Sequence, residues 1–114
     1  MNVNVIFHID EQSKWSLTLK NVQNLTKAAE LKHSRIEVLA NSEAVAFYAG
    51  SEPNSDRELM QELALAGIRF VACNNALRGM EIPQERLPQF VDIVPVGVLE
   101  LIQKQNEGYA YIKP

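Results

Sequence analysis

Cys73 is the only cysteine in the 114-residue sequence and the side chain best suited to covalent chemistry. A cysteine reacts as its thiolate, and the N–H groups at the start of a helix stabilise that anion. The apolar run 68–73 predicts a strand that ends at Cys73, and Asn74 and Asn75 lead into a predicted short helix at 76–80. This placement indicates a reactive thiol, although a single cysteine at the end of an apolar strand also fits a small buried side chain.

A reactive Cys73 has three chemical uses. Its thiolate could carry a persulfide, form a mixed disulfide with another protein, or attack an electrophilic carbon. Because the chain has no second cysteine, it cannot resolve a sulfur adduct through an internal disulfide, and a partner's thiol would have to accept the sulfur. The same count excludes an intramolecular disulfide and argues against a thiol-ligated metal site.

His8 and three asparagines are the other candidate site residues. His8 lies near the end of the first predicted strand and could relay a proton for Cys73 if the two strands are neighbours, or it could be a hydrogen-bonded structural residue. Asn41, Asn74 and Asn75 follow predicted strands, where their amide N–H groups could donate to a sulfur species or a small anion. Asparagine also caps helices at such junctions, so both roles remain open.

The pattern of apolar residues predicts strands that alternate with helices. The predicted strands span 3–9, 36–40, 68–73, 90–94 and 109–112, and the predicted helices span 15 to about 33, 44–49, 57–66, 76–80 and 95–106. Alternation of this kind predicts a parallel sheet with helices on both faces, and hence one three-layer α/β domain over residues 1–114. Ligands and chemistry collect at the carboxyl ends of such strands, where His8, Asn41 and Cys73 fall.

Composition and missing motifs exclude several classes of function. Eleven Lys and Arg against 14 Asp and Glu give a net charge of −3, without the basic surface that nucleic acid requires. No apolar run reaches the length of a membrane span, about 18 residues, and no basic segment precedes an apolar one near the start. We therefore expect a cytoplasmic protein with no membrane partner. The dinucleotide glycine motif, the P-loop, HExxH and CxxC are all missing, so we expect no cofactor and no metal.

Two groups of apolar residues bear on packing and assembly. The spacing in the last helix predicts a buried face formed by Val98, Leu99 and Ile102. A second group exceeds what one small domain is expected to bury, and consists of Val45, Phe47 and Tyr48. Uncovered apolar surface of this kind predicts a homo-oligomer.

Three stretches of the sequence together resemble the DsrE/DsrF-like family of small sulfur-relay-related proteins. They are the opening VNVIFHID, the central AGIRFVACNNALRGM and the tail VPVGVLELIQKQNEGYAYIKP. The resemblance implies a three-layer α/β/α domain with a five-stranded, mainly parallel sheet, and assembly into dimers, trimers or hexamers. It also implies, for the sulfur-relay branch of the family, that the cysteine matching Cys73 receives and passes on sulfur as a persulfide.

Three functions follow as hypotheses. The first is a sulfur-relay protein that takes sulfane sulfur onto Cys73 from a donor protein and gives it to an acceptor protein. The second is a noncatalytic oligomeric module that binds a small metabolite or a protein partner at the strand-end cleft, which Cys73 only lines. The third is a thiol-dependent transferase or hydrolase, which requires a base such as His8 beside Cys73.

Overall fold

The apolar runs of the sequence form the strands of one sheet, and the amphipathic segments between them form helices. The computed structural model describes all residues, 1–114. The strands are β1 (Asn4–Ile9), β2 (Arg35–Ala40), β3 (Arg69–Cys73), β4 (Val91–Val94) and β5 (Ala110–Ile112). The helices are α1 (Trp15–Ala28), α2 (Ala46–Ala49), α3 (Ser55–Leu65), α4 (Asn74–Gly79) and α5 (Gly97–Asn106). None of these helices is long and apolar enough to cross a lipid bilayer.

The five strands are hydrogen-bonded in the order β4-β3-β2-β1-β5, and every neighbouring pair is parallel. Parallel neighbours require a crossover between them, and the intervening helices supply it. The predicted three-layer α/β/α architecture with a five-stranded sheet is therefore confirmed. Because all strands run the same way, their carboxyl ends meet along one edge of the sheet.

The two faces of the sheet are covered unequally. One face carries the main core, where side chains of α1, α2, α3 and α4 pack against alternate strand residues such as Phe7, Val38 and Phe70. On the other face a small cluster consists of Ile6, Leu39, Val71 and, from α5, Leu101. A single helix therefore forms the third layer, and its position decides what the sheet exposes on that side.

The two predictions about apolar residues are both wrong, because the group predicted to be exposed is buried and the group predicted to be buried is exposed. Residues Val45, Phe47 and Tyr48 are all buried, because they pack beneath α1 as part of the main core. The predicted buried face of α5 is instead exposed, at 57% for Val98, 50% for Leu99 and 49% for Ile102. Helical spacing places these three together but does not say which way the helix faces. The uncovered apolar surface therefore lies on α5.

Two helix boundaries also differ from the prediction. The first long helix ends at Ala28 rather than near His33, because Ala29 is already extended and a separate 3₁₀ turn covers Leu31–His33. The short helix α4 begins directly after β3, at Asn74 rather than Ala76. The second difference matters for the candidate site, because it makes Cys73 the residue that links a strand to a helix without a loop.

Candidate functional site

The carboxyl ends of β1, β2 and β3 place His8, Asn41 and Cys73 along one edge of the sheet. His8 is paired with Leu39 in the register of β1 and β2, and the N–H of Asn41 donates to the carbonyl of Ile9 at 3.0 Å. Ala40 is paired with Ala72, so Asn41 and Cys73 follow at the same level. The predicted convergence of these three residues at the strand ends is therefore present in the fold.

Cys73 lies beneath the first residue of α5. The backbone N–H of Gly97 donates a hydrogen bond to Cys73 Sγ at 3.3 Å, and the cysteine is only 7% exposed. An N–H group in the first turn of a helix stabilises negative charge on the atom it faces. A Cβ on Gly97 would lie 3.0 Å from Cys73 Cβ and 3.4 Å from Sγ, so a glycine is what allows this close approach. Sequence reasoning identified the cysteine but not Gly97 as its partner.

His8 has both ring nitrogens engaged. Nε2 is 3.0 Å from Asn41 Oδ1 and Nδ1 is 2.6 Å from the hydroxyl of Tyr111 in β5. Because an amide oxygen only accepts, a neutral ring carries its proton on Nε2, and the Tyr111 hydroxyl then donates to Nδ1. The condition for a proton relay from His8 is not met, because β2 lies between β1 and β3 and neither ring nitrogen bonds to Cys73. This arrangement gives no support to His8 as the base for a thiol-dependent transferase or hydrolase. Tyr111 was missed because an aromatic residue in an edge strand carries no distinctive signal.

Asn74 and Asn75 do not join the group around Cys73. The amide oxygen of Asn74 accepts a hydrogen bond from Gln84 Nε2 at 3.0 Å, and Asn75 is exposed. Both are helical residues of α4, whose N-cap position is taken by Cys73 itself without a side-chain cap. Asn41 and Cys73 both lie against Gly97, since a Cβ on this glycine would also be 3.4 Å from Asn41 Cβ. The structure therefore brings together Cys73, Gly97 and Asn41 as the candidate site, with His8 and Tyr111 on the far side of Asn41.

A second polar group, missed from the sequence, lies under the first turn of α5. Arg69 Nη1 donates to Glu37 Oε1 at 2.8 Å and to Glu100 Oε2 at 2.9 Å, and Arg69 Nε donates to Asp92 Oδ2 at 2.9 Å. Burial, together with a hydrogen bond to Glu100, raises the pKa of Glu37 to about 8. Burial opposes ionisation of Glu100 as well, but hydrogen bonds from Glu37 and Arg69 hold its pKa below the usual value. We name Glu37, Arg69 and Glu100 the α5 anchor.

The surface depressions lie away from Cys73. One of about 360 Å³ opens at the amino ends of β2 and β3, where Glu37, Arg69, Lys104 and Tyr109 line it. Of the four depressions in the surface, none is lined by Cys73, His8 or Asn41. The structure also holds no group of three or more His, Cys, Asp or Glu side chains that could bind a metal ion. Chemistry at the strand-end edge therefore depends on access to Cys73 beneath α5.

Comparison with known proteins decides the family. The model of the DsrE/DsrF-like family matches residues 3–114. This chain belongs to the DsrE/DsrF-like family. The resemblance seen in the three sequence stretches is thereby confirmed, and the chain falls in a sulfur-relay-related family. No curated protein matches the chain.

Solved structures of this DsrE/DsrF-like chain's relatives agree with its fold. A protein of unknown function, MTH1491 from Methanobacterium thermoautotrophicum, is 36% identical, with a TM-score of 0.86 over 99% of this chain and 100% of that one. The ychN protein from E. coli is 19% identical, with a TM-score of 0.74 over the full length of both chains. The protein BT1422 from Bacteroides thetaiotaomicron, also of unknown function, is 12% identical, with a TM-score of 0.68 over 97% and 94%. The last two likenesses concern the fold alone.

Proposed function

We propose that this protein is a sulfur-relay protein that carries sulfane sulfur as a persulfide on Cys73. The observation that carries the proposal is the hydrogen bond from the Gly97 N–H to Cys73 Sγ at the carboxyl edge of the sheet. Membership of the DsrE/DsrF-like family supports it, since the family is related to sulfur relay. Cys73 is also the only thiol of the chain, so no other side chain can take this role.

The proposed reaction is an exchange that needs no external oxidant or reductant. The thiolate of Cys73 attacks the outer sulfur of a persulfide on a donor protein, the donor's S–S bond breaks, and the donor thiolate leaves. Cys73 then holds an S–SH group. An acceptor thiolate attacks the outer sulfur of that group, which regenerates the Cys73 thiolate. Donor and acceptor proteins are therefore the proposed partners, because the chain has no second cysteine to accept the sulfur.

Gly97 has a defined part in this reaction. Its N–H faces the sulfur of Cys73 from the first turn of α5, where the helix terminus is electropositive. Each step of the exchange leaves a sulfur anion on Cys73 or takes one from it, so a donor in this position stabilises the species that reacts. Transfer between free thiols requires a reducing compartment, and on that ground we propose a cytoplasmic location.

We expect Cys73→Ser to abolish sulfur loading. The hydroxyl keeps the hydrogen-bonding capacity of the side chain but cannot form a persulfide, so the bound sulfur should fall from about one atom per chain to none. Intact-mass measurement after incubation with a protein persulfide donor gives this directly, with reductant-treated samples as the blank. His33→Gln, an exposed change, is the control and should load like the parent. Equal sulfur on Cys73→Ser and the parent would rule the proposal out.

The second candidate function is a noncatalytic oligomeric module that binds a small metabolite or a protein partner at the strand-end edge. The burial of Cys73 favours it, as does the absence of a hydrogen bond between His8 and Cys73, because neither feature is what a reacting thiol requires. A module of this kind needs Cys73 only as packing. Cys73→Ala should then leave its assembly and partner binding nearly intact, whereas under the sulfur-relay proposal the same change removes all loading.

We also propose that the chain forms a homo-oligomer through the outer face of α5 and the neighbouring strand β5. The exposed apolar side chains there are Val98, Leu99, Ile102 and, from β5, Tyr111. Clustered apolar surface of this kind favours association with a second copy, as a dimer, trimer or hexamer. Sedimentation velocity at micromolar concentration should give a mass above that of one chain, and Ile102→Lys should lower it. A monomer for the parent under these conditions would contradict the proposal.

A further inference from the structure

The α5 anchor brings two carboxyl groups to one nitrogen of Arg69. Glu37 extends from β2 and its side chain is only 3% exposed, while Glu100 extends from α5. Oxygens of both accept hydrogen bonds from Nη1, at 2.8 and 2.9 Å. The second oxygen of Glu37, Oε2, is closed off from solvent and accepts no hydrogen bond from a protein N–H or O–H group. A buried carboxylate oxygen without a partner is unfavourable, and a bound proton removes its charge.

The charges around Arg69 also indicate that Glu37 holds a proton. Arg69 from β3 faces three carboxyl groups, which belong to Glu37, Glu100 and, from β4, Asp92. One guanidinium balances only one of them, and two carboxylates held against the same nitrogen repel each other unless a proton lies between them. Burial and the neighbouring Glu100 carboxyl raise the pKa of Glu37 while the pKa of Glu100 is lowered, and these opposite directions fit a protonated Glu37 beside an ionised Glu100.

The same helix covers Cys73. Gly97, the first residue of α5, lies against the Cys73 side chain, and Glu100 follows within the first turn. Only Gly97, Glu100 and Leu101 of α5 are buried, and of these only Leu101 packs an apolar side chain on the sheet, against Ile6, Leu39 and Val71. A change in the strength of the α5 anchor therefore acts on the element that closes Cys73 off from solvent.

We infer that α5 is a proton-controlled cover for Cys73: with one proton shared between Glu37 and Glu100 the helix is held on the sheet, and loss of that proton lets it open and expose the thiol. The inference concerns access to Cys73 and holds whatever the thiol carries. The proton passes between water and Glu37 as α5 leaves the sheet. The hydrogen bonds between Glu100 and Arg69 and between Gly97 and Cys73 break at the same time, and no other covalent bond changes.

The direction of the pH dependence follows from the two states. In the opened state Glu37 is solvated and ionises at its ordinary pKa of 4.5, whereas in the closed state its pKa is about 8. The closed state therefore binds more protons between these values, so the closed state loses stability as pH rises from about 5 to 8 and then changes little. Glu100, whose pKa is lowered despite its burial by hydrogen bonds from Glu37 and Arg69 and by the nearby positive charge of Lys104, acts only below this interval, and Arg69 stays charged throughout.

Hydrogen exchange of the α5 amides tests the inference. The protection factor compares observed with intrinsic exchange rates, so it removes the pH dependence of the exchange chemistry itself. In the parent protein it should fall by up to about tenfold per pH unit between pH 5 and 8. The fall should depend only weakly on added urea, which identifies opening of α5 rather than unfolding of the whole chain. A protection factor that is independent of pH, or α5 exchange only in step with α1, would overturn the inference.

The Glu37→Gln variant tests whether the shared proton, and not another titrating group, causes the pH dependence of α5 protection. The amide has the shape of the protonated carboxyl and no charge, so α5 protection in this variant should be nearly constant over the same pH interval. The matched control is Glu62→Gln, an exposed change on α3, which should keep the pH dependence of the parent. The ratio of Cys73 alkylation rates between parent and Glu37→Gln, taken at each pH, should rise from pH 5 to 8. A constant ratio would show that the α5 anchor does not control access to Cys73.

Discussion

Replacing Arg69 with leucine is expected to lower the free energy of unfolding by about 3 kcal/mol at neutral pH. The change leaves Glu37 and Glu100 close together under α5 without their shared cation, and removing one partner of a buried ion pair costs more than the pair contributes. We take the lower end of the usual range because the Arg69 side chain is itself 39% exposed. Urea unfolding followed by circular dichroism measures the loss.

Two further variants test whether this loss of unfolding free energy comes from the α5 anchor. Arg78→Leu removes an exposed arginine of α4 that bonds to no other side chain, and should change the stability by less than about 0.5 kcal/mol. Glu37→Gln in the Arg69→Leu background removes one stranded carboxyl and should recover part of the loss. If Arg69→Leu proved as stable as the parent, the anchor would have no structural role.

Replacing Trp15 with alanine is expected to cost about 3–5 kcal/mol, the largest effect of any single change proposed for this chain. Trp15 is 2% exposed, and its ring stacks on Phe47 at 4.6 Å between centroids and meets Tyr48 edge-on at 5.2 Å. Its Nε1–H also donates to the carbonyl of Ala44 at 2.9 Å. That bond holds the 3₁₀ turn Ser42–Val45, which follows Asn41, so the change loosens one side of the candidate site as well.

The contributions of Trp15 can be separated by experiment. Trp15→Phe keeps an aromatic ring beside Phe47 but leaves the Ala44 carbonyl without its donor, and should cost less than the alanine change. Leu17→Ala on the same helix is the control, because Leu17 is 46% exposed and should contribute little. A cost for Trp15→Ala no greater than that for Leu17→Ala would contradict the packing described for the main core.

The sequence was sufficient to predict the sheet and the edge where the candidate site lies. Apolar runs such as 36–40 form strands buried on both faces, and such strands can be predicted from the local sequence without knowledge of distant residues. Once the strands are parallel, their carboxyl ends share an edge, so the placement of His8, Asn41 and Cys73 along that edge follows from the pattern. The strand order, in which β2 separates β1 from β3, did not follow from it. The local apolar pattern and the parallel arrangement of the strands were therefore enough to predict the sheet and its carboxyl edge.

What the sequence could not predict depends on contacts between distant segments. The orientation of α5 is set by Gly97 against Cys73 and by Glu100 against Arg69, 24 and 31 residues away along the chain. Helical periodicity gave the wrong face, because Val98 and its apolar neighbours are left outside. A glutamate within an apolar strand, such as Glu37, gives no sign of its partner from its own neighbourhood. The position of Asn74 and Asn75 away from Cys73 was unpredictable for a similar reason, since the direction of a side chain in the first turn of a helix is decided by the packing of that helix.

The most direct test of sulfur transfer to Cys73 is the intact mass of the native protein after incubation with a protein persulfide donor, compared with the same chain unfolded in urea. We expect the native protein to gain the mass of one sulfur atom per chain, to lose it on reduction, and to gain it at urea concentrations far too low to unfold the protein. This result would show that the thiol beneath α5 reacts in the folded state. If only the unfolded chain gained sulfur, Cys73 would be a core residue and the sulfur-relay function would be wrong.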